Sequence, residues 1–233
     1  MTSSLTSTAV LDNPAWSSLT GAHARFAVTN GQAARYDDDV APFHAVADPA
    51  DPQAWKDLAG LVPVGGTVAI TGAGGAVFPG WEIGAGGSGV QLVSTPAFQS
   101  DFDPAAVRLG PADVPDILDL IDRTQPGPFR RRTVELGTYL GLRAPDGRLI
   151  ALAGERLHPA GWTEISAVCT DPGHRKKGLA SRLVRAVAAG IRERAEIPFL
   201  HAAAGNVNAI RLYESIGFVL RKRTDFTQYR RVA

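Results

Sequence analysis

Arg175, Lys176 and Lys177 stand directly before Gly178, Leu179 and Ala180, and from there the chain takes up its clearest helical pattern. A helix start exposes backbone N–H groups with no intrahelical acceptor, and the positive end of the macrodipole lies behind them. Basic side chains at that end are unfavourable by about 0.3–1 kcal/mol each. Three in a row therefore call for an anion. Gly178 and Ala180 let a bound group approach the backbone closely, so the segment reads as a pyrophosphate cradle. It differs from a P-loop, because no G-K-[ST] follows and no hydroxyl is supplied for Mg²⁺. A second glycine pattern, TVAITGAGGAV, is incomplete. Gly72 and Gly74 fit the first two positions of G-x-G-x-x-G, but Val77 holds the third, and Phe78-Pro79-Gly80 follow where a helix should open. Strands joined by glycine turns are the reading there.

The elements that must hold these residues are clearest after residue 105. The spacing predicts a strand at 106–110, a helix over 111–124 and another short helix beginning within 129–137. A hairpin follows (138–144 and 148–157), turning at Pro145-Asp146-Gly147, and then a fourth strand over 162–170. Leu179, Leu183, Val187 and Ile191 form one stripe of a helix over 178–195. A strand at 199–204, a helix over 208–217 ended by Gly217 and a strand at 218–223 complete an α/β order. Before residue 105 the pattern is weaker. Residues 1–20, rich in Ser and Thr, read as a loosely ordered lead-in. Residues 22–28 alternate like a strand, and 52–61 form a short helix with Pro52 in its first turn. Ten glycines lie between residues 65 and 89, where TVAI and VQLV read as short strands separated by flexible loops.

The 233 residues suffice for one or two domains with a buried core, and 45% hydrophobic content excludes a wholly disordered chain. The net charge of +1 conceals an asymmetry. Residues 1–105 carry three basic and ten acidic side chains (−7), and residues 106–233 carry 21 and 13 (+8). Opposite halves are suited to docking on one another, and a basic half to a phosphate-bearing ligand. No apolar run approaches the roughly 18 residues of a membrane span, and the first twenty residues lack the pattern of a secretory signal. The single Cys169 fits a reducing compartment, so the expected location is the cytoplasm. Five dispersed histidines and one cysteine offer no metal-ligand spacing. Cys169 reads as strand packing, since no base partner for it is evident.

V-C-T-D-P-x-x-R-K-K-G-L-A, followed about twenty-five residues later by N-V-N-A-I-R-L-Y-E-S-I-G-F, resembles the GNAT superfamily of acyl-CoA-dependent N-acyltransferases. Arg175 to Ala180 match its R/Q-x-x-G-x-G/A loop, with alanine in the last position. Asn206, Ala209 and Leu212-Tyr213 match its second signature. The resemblance covers residues 106–223, about half the chain, and it is nearest to bacterial proteins related to glycine N-acyltransferase. It implies a mixed, mostly antiparallel central sheet flanked by helices. It also implies a division into an N-terminal half (1–105), a candidate worn-down copy of the same fold, and a transferase domain (106–233).

The resemblance implies roles as well. The backbone of Val168, Cys169 and Thr170 would bond the pantetheine arm and acyl carbonyl. Arg175, Lys176, Lys177, Gly178, Leu179, Ala180 and Ser181 would hold the pyrophosphate, with Asn206 and Ala209 meeting the cofactor from the far side. Tyr213 would protonate the leaving thiolate. Glu164, eleven residues before Arg175, is the candidate base, with partial burial expected to raise its pKa; a water is the alternative. Glu135, Tyr139 and His201 are candidates for contact with the acceptor, and the loops around 124–138 and 157–163 are expected to select it. The implied reaction is transfer of an acetyl group from acetyl-CoA, without metal, to a primary amine by direct attack. A non-catalytic acyl-CoA sensor is the competing reading, against which the presence of both Glu164 and Tyr213 weighs. Nucleic acid and membrane are not expected partners: basic and aromatic residues are not interleaved. Monomer and homodimer both stay open.

Overall fold

The structure is a computed structural model that describes residues 7–233. Part of the lead-in read at 1–20, residues 1–6, lies outside the described residues. The remainder is ordered, with a 3₁₀ turn at Ala9–Asp12 and helix α1 (Pro14–Leu19), whose N-cap Asn13 accepts from the Trp16 N–H. Three short strands follow: β1 (Ala27–Asn30), β2 (Ala33–Tyr36) and β3 (His44–Val46), which make a small antiparallel sheet. The strand read at 22–28 thus begins only at Ala27, because Ala24–Phe26 close a 3₁₀ turn. Helix α2 (Pro52–Ala59) is capped by Asp51, which accepts from the Gln53 N–H at 2.8 Å, and it buries Ala54, Trp55 and Leu58 on one face.

Eight strands form the central sheet: β4 (Thr67–Thr71), β5 (Trp81–Ser94), β6 (Val107–Leu109), β7 (Tyr139–Arg143), β8 (Leu149–Glu155), β9 (Trp162–Thr170), β10 (Ile197–Ala203) and β11 (Phe218–Arg231). Their order is β4-β11-β5-β10-β9-β8-β7-β6. Among the described residues only the β9–β10 pair is parallel, and a parallel pair needs a long crossover. Helix α4 (Leu179–Glu193) supplies it. Helices α3 (Val114–Thr124) and α5 (Val207–Ser215) complete the list, and the helix read within 129–137 is a 3₁₀ turn at Thr133–Leu136.

Strand alternation sorts the core onto two faces. On one, Leu183, Val184, Val187 and Ile191 of α4 and Tyr213 of α5 pack on Leu92, Ile165, Leu200 and Phe218. On the other, Ile117 and Leu120 of α3 pack on Leu149 and Leu152, while the N-terminal unit lays Leu11, Leu19 and Tyr36 over Trp162 and Phe199. Trp55 of α2 closes the β4–β11 end, stacked on Phe78 at 4.2 Å and edge-on to Tyr229 at 4.4 Å. The central sheet therefore takes β4 and β5 from before residue 105 and its other strands from after it. Ion pairs also cross that division, Asp12 with Arg221 and Lys222, Asp37 with Arg132 and Asp103 with Arg182, as the opposite charges anticipate.

The glycine-rich stretch departs most from its reading. Instead of loops between two strands, Trp81–Ser94 is one continuous strand, because β11 pairs with it along its whole length. Pairing overrides the low strand propensity of glycine. At Gly87 the Phe226 ring lies where a Cβ would be, so a side chain there would have to push that ring aside. The strand read at 218–223 likewise runs on to Arg231, held between β4 and β5. The turn at Gly72–Gly75 leads into no helix, in keeping with its structural reading.

Two histidines, His23 buried and His158 half-buried, meet where the N-terminal unit packs on the rest of the chain. His23 bonds the Tyr36 hydroxyl through Nδ1 at 2.9 Å and the Leu136 carbonyl through Nε2 at 3.1 Å, and its ring lies 4.8 Å from that of His158. Burial, then the mutual repulsion of the charged forms, holds His23 at about 4; burial and the nearby Arg194 hold His158 at about 4. The unfolded chain binds protons at these sites from about 6.5 downward and the folded chain only near 4, so stability falls across that window as pH drops. Thermal melts between pH 7 and 4 should show Tm falling, with a shallower fall for His158→Gln. Equal slopes for the two proteins would contradict this account.

Candidate active site

Strands β9 and β10 pair only from Ile197↔Trp162 to Leu200↔Ile165. Beyond that they diverge, and Ala167 takes a left-handed conformation (φ 54°) at a register shift in the β8–β9 ladder. Such a bulge re-aims the strand and ends its pairing. The gap opens into a cleft of about 920 Å³ lined by residues 166–170 of β9, His201–Ala203 of β10, and Asn206, Ala209 and Tyr213.

At the α4 end of the gap the chain turns through Lys176 (φ 61°) and Gly178 (φ 72°), while Asp171, held by Arg123, accepts from the Gly173 N–H at 2.9 Å. None of the N–H groups of residues 175–181 has an acceptor among the described residues. Seven consecutive free donors, running into the first turn of a fifteen-residue helix, form an anion site, and Arg175, Lys176 and Lys177 flank it without ion pairs among the described residues. Leu179, Ala180 and Ser181 bring the backbone into the first turn. These features fit a pyrophosphate.

Asn206 caps α5 by accepting from the Ala209 N–H at 3.2 Å, which places both residues on the rim of the cleft. Tyr213 reaches it from the α4–α5 face of the sheet. Burial, with the nearby Cys169 second, pushes its phenol up to about 12, so it stays protonated at neutral pH. Cys169 lines the cleft, but burial pushes its thiol up to about 11, which suits packing and not nucleophilic attack.

Glu164 is fully buried, and its environment corrects the expectation of a raised pKa. Burial by itself pushes the carboxyl up, yet the Arg156 guanidinium outweighs it, donating from Nε at 2.8 Å and from Nη2 at 2.5 Å. His201 adds a contact from Nδ1 at 2.7 Å, and the net result is a carboxyl held down at about 2. His201 also lies 3.0 Å from Gln91 Nε2, and both line the cleft. Glu135 and Tyr139 do not come to it. Glu135 is paired with Arg132 at 2.8 Å on the surface, and Tyr139 is buried against Phe129 beneath Gly154.

Two groups that the sequence reading passed over shape this site. Arg156 is one. The hairpin register brings it to Glu164, with the Arg156 N–H donating to the Glu164 carbonyl, and Phe43 lies against its guanidinium at 5.0 Å. The other is a wall from the N-terminal unit, residues 11–15 and 43–46, which faces the cleft together with residues 124–128 and Leu157. Of the loops expected to select the acceptor, therefore, only parts line it. No motif marks the N-terminal wall, and only long-range packing brings it there. Among the described residues no group of His, Cys, Asp and Glu is arranged to hold a metal, and no helix is long and apolar enough to cross a membrane.

A sheet parted between two parallel strands, with an anion site at the crossover helix, is an arrangement this chain shares with known proteins. A family model described as FR47-like protein matches residues 139–229. A crystal structure from Novosphingobium aromaticivorans, assigned to the GNAT family of acetyltransferases, is 38% identical, covers 96% of this chain and 99% of its own, and superposes with a TM-score of 0.86. The chain belongs to the GNAT superfamily of acyltransferases. In fold alone it is also similar to a GCN5-related N-acetyltransferase from Kribbella flavida (16% identity, 92% and 95% coverage, TM-score 0.60). A conserved protein of unknown function from Staphylococcus epidermidis shares the fold too (11%, 88% and 93%, TM-score 0.54). No curated protein matches the chain.

Proposed function

We propose that this protein is a cytoplasmic N-acetyltransferase that moves the acetyl group of acetyl-CoA to a primary amine by direct attack. The observation that carries the reading is the run of seven unpartnered N–H groups at residues 175–181, continuous with the gap between β9 and β10. The pyrophosphate of the cosubstrate would lie on those donors, with Gly178 open to it. Val168, Cys169 and Thr170, unpaired with β10, would bond the pantetheine arm, and Asn206 and Ala209 would border it.

The gap joins the two faces of the sheet, and this separates the tasks. On the α5 face Tyr213 would donate a hydrogen bond to the sulfur as charge develops there. With its phenol near 12, it gives up its proton only as a proton shed by the nascent amide replaces it. On the opposite face the N-terminal wall would hold the amine. Glu164 sits on that side, with its negative charge turned toward Arg156 and His201.

Calorimetric titration with acetyl-CoA, followed by thiol release against a panel of amines, tests the reading. Binding with amine-dependent release supports it. Binding without release from any amine would favour an acyl-CoA sensor, and no binding would refute both. Tyr213→Phe should bind acetyl-CoA as the wild type does but lose roughly 10²-fold or more in kcat. A wild-type kcat in that variant would remove the tyrosine from the reaction.

A further inference from the structure

We propose that His201 is the base that takes the proton from the acceptor amine, and that Glu164 is its positioning residue. This rests on the acyl-transfer reading above. Contacts within the cleft fix the state of the ring. Arg221 Nη1 donates to Gln91 Oε1 at 2.8 Å and Gln91 Nε2 donates to the Leu11 carbonyl at 2.8 Å, which leaves one orientation for the amide. Its nitrogen is 3.0 Å from His201 Nε2 and, being a donor, demands an acceptor there. The ring proton is therefore on Nδ1, which donates to Glu164 Oε1 at 2.7 Å. A carboxylate on one nitrogen and a lone pair on the other is the arrangement that makes an imidazole a base, because the carboxylate stabilises the imidazolium as it forms.

Glu164 is placed for support and not for proton transfer. Arg156 engages both of its oxygens and it has no exposed surface, whereas His201 is about one-fifth exposed and lines the cleft. His201 is also the first residue of β10 beyond the last β9–β10 pair, Leu200↔Ile165. By alternation it shares a face with Phe199, which packs under the N-terminal unit, while Tyr213 comes from the other face. The charged groups around it are Glu164 from β9, Arg156 behind Glu164, Arg221 behind Gln91, and the Asp12–Lys222 pair on the cleft wall. The one in direct contact is anionic.

The step balances as follows. The ammonium of the acceptor displaces the neutral amide of Gln91 at Nε2, a charged donor making the stronger hydrogen bond. One proton passes to Nε2, and the freed lone pair forms a C–N bond to the thioester carbonyl. The C–S bond breaks with its electron pair on sulfur, which Tyr213 protonates. A second amine proton restores the tyrosine, and the proton on His201 leaves to solvent.

The test is the pH profile of thiol release for wild type, His201→Gln and Glu164→Gln, with acetyl-CoA affinity measured alongside. His201→Gln should lose roughly 10²-fold or more in kcat with unchanged acetyl-CoA affinity, and the acid limb of its profile should vanish. Glu164→Gln should keep that limb but at a lower plateau, since the ring has lost the carboxylate that stabilises the imidazolium as it forms. Loss of the limb in Glu164→Gln and its retention in His201→Gln would overturn the assignment in favour of the carboxylate. Wild-type protein with no amine-dependent release is a distinct result that defeats the acyl-transfer reading itself. Nitrogen shifts of the His201 ring in the unmodified protein give a check free of any variant: the Nδ1–H tautomer is expected, and the Nε2–H tautomer would overturn the proposal.

Discussion

Gly178→Val should weaken acetyl-CoA binding by roughly two orders of magnitude while leaving the fold in place. The reason is conformation and not space. A Cβ at position 178 meets nothing within 4 Å, but φ is +72° at the residue that opens α4. A left-handed backbone costs an L-residue about 1–2 kcal/mol, more for a β-branched one. The turn can escape that cost only by rotating, which re-aims the N–H groups of residues 175–181. Hydrogen bonds to a charged group contribute about 1.5–3 kcal/mol each, so misaligning one or two, at 1.4 kcal/mol per tenfold, gives the stated loss. Gly178→Asn separates the causes, because asparagine tolerates the left-handed region; it should retain most of the affinity. Titration with acetyl-CoA beside a thermal melt decides. Wild-type affinity in Gly178→Val would mean that the turn does not hold the cosubstrate.

Glu164→Ala should be among the most destabilising single changes in the chain. It leaves the Arg156 guanidinium without its counter-ion beneath Phe43. Breaking a buried pair from one side costs about 3–5 kcal/mol. At about 2–4 °C per kcal/mol for a chain of this size, Tm should fall by roughly 6–20 °C. Replacing both partners with apolar residues of similar volume, Arg156→Met with Glu164→Leu, should recover much of that loss, because no charge is then stranded. Since the folded carboxyl is held at about 2 against 4.5 for the free group, its contribution is complete above about 4.5 and is lost as pH falls through about 2. Urea denaturation at neutral pH measures the loss directly. A Glu164→Ala protein as stable as wild type would show that the pair is not formed in solution.

What could be read from the sequence was what is local in it. The cradle is seven consecutive residues, and α4 announces itself by the stripe from Leu179 to Ile191, so both were legible. So were α5, with Gly217 at its end, and β9. The glycine stretch misled because its strand character comes from β11, some 130 residues away, and the same pairing extends β11 beyond the polar run that seemed to end it. The polar network was legible only in part. Glu164 stood out as a carboxylate near the cradle, but its direct partners, Arg156 after β8 and His201 on β10, and the groups behind His201, Gln91 on β5 and Arg221 on β11, come from four other places in the chain. Register puts them together, and no spacing in the sequence encodes register across five strands. That is why burial could be anticipated at Glu164 while the sign of its pKa shift could not.

The central claim is direct transfer, in which the acetyl group never rests on the protein. The most direct measurement is to mix the protein with acetyl-CoA in the absence and in the presence of an amine panel, reading free thiol and the intact mass of the protein together. Thiol should appear only with an amine, the amine should emerge acetylated, and the protein mass should stay unchanged, in keeping with the burial that pushes the Cys169 thiol up to about 11. Thiol release without amine, accompanied by a protein heavier by one acetyl group, would contradict the account and put a nucleophile of the protein itself in the path.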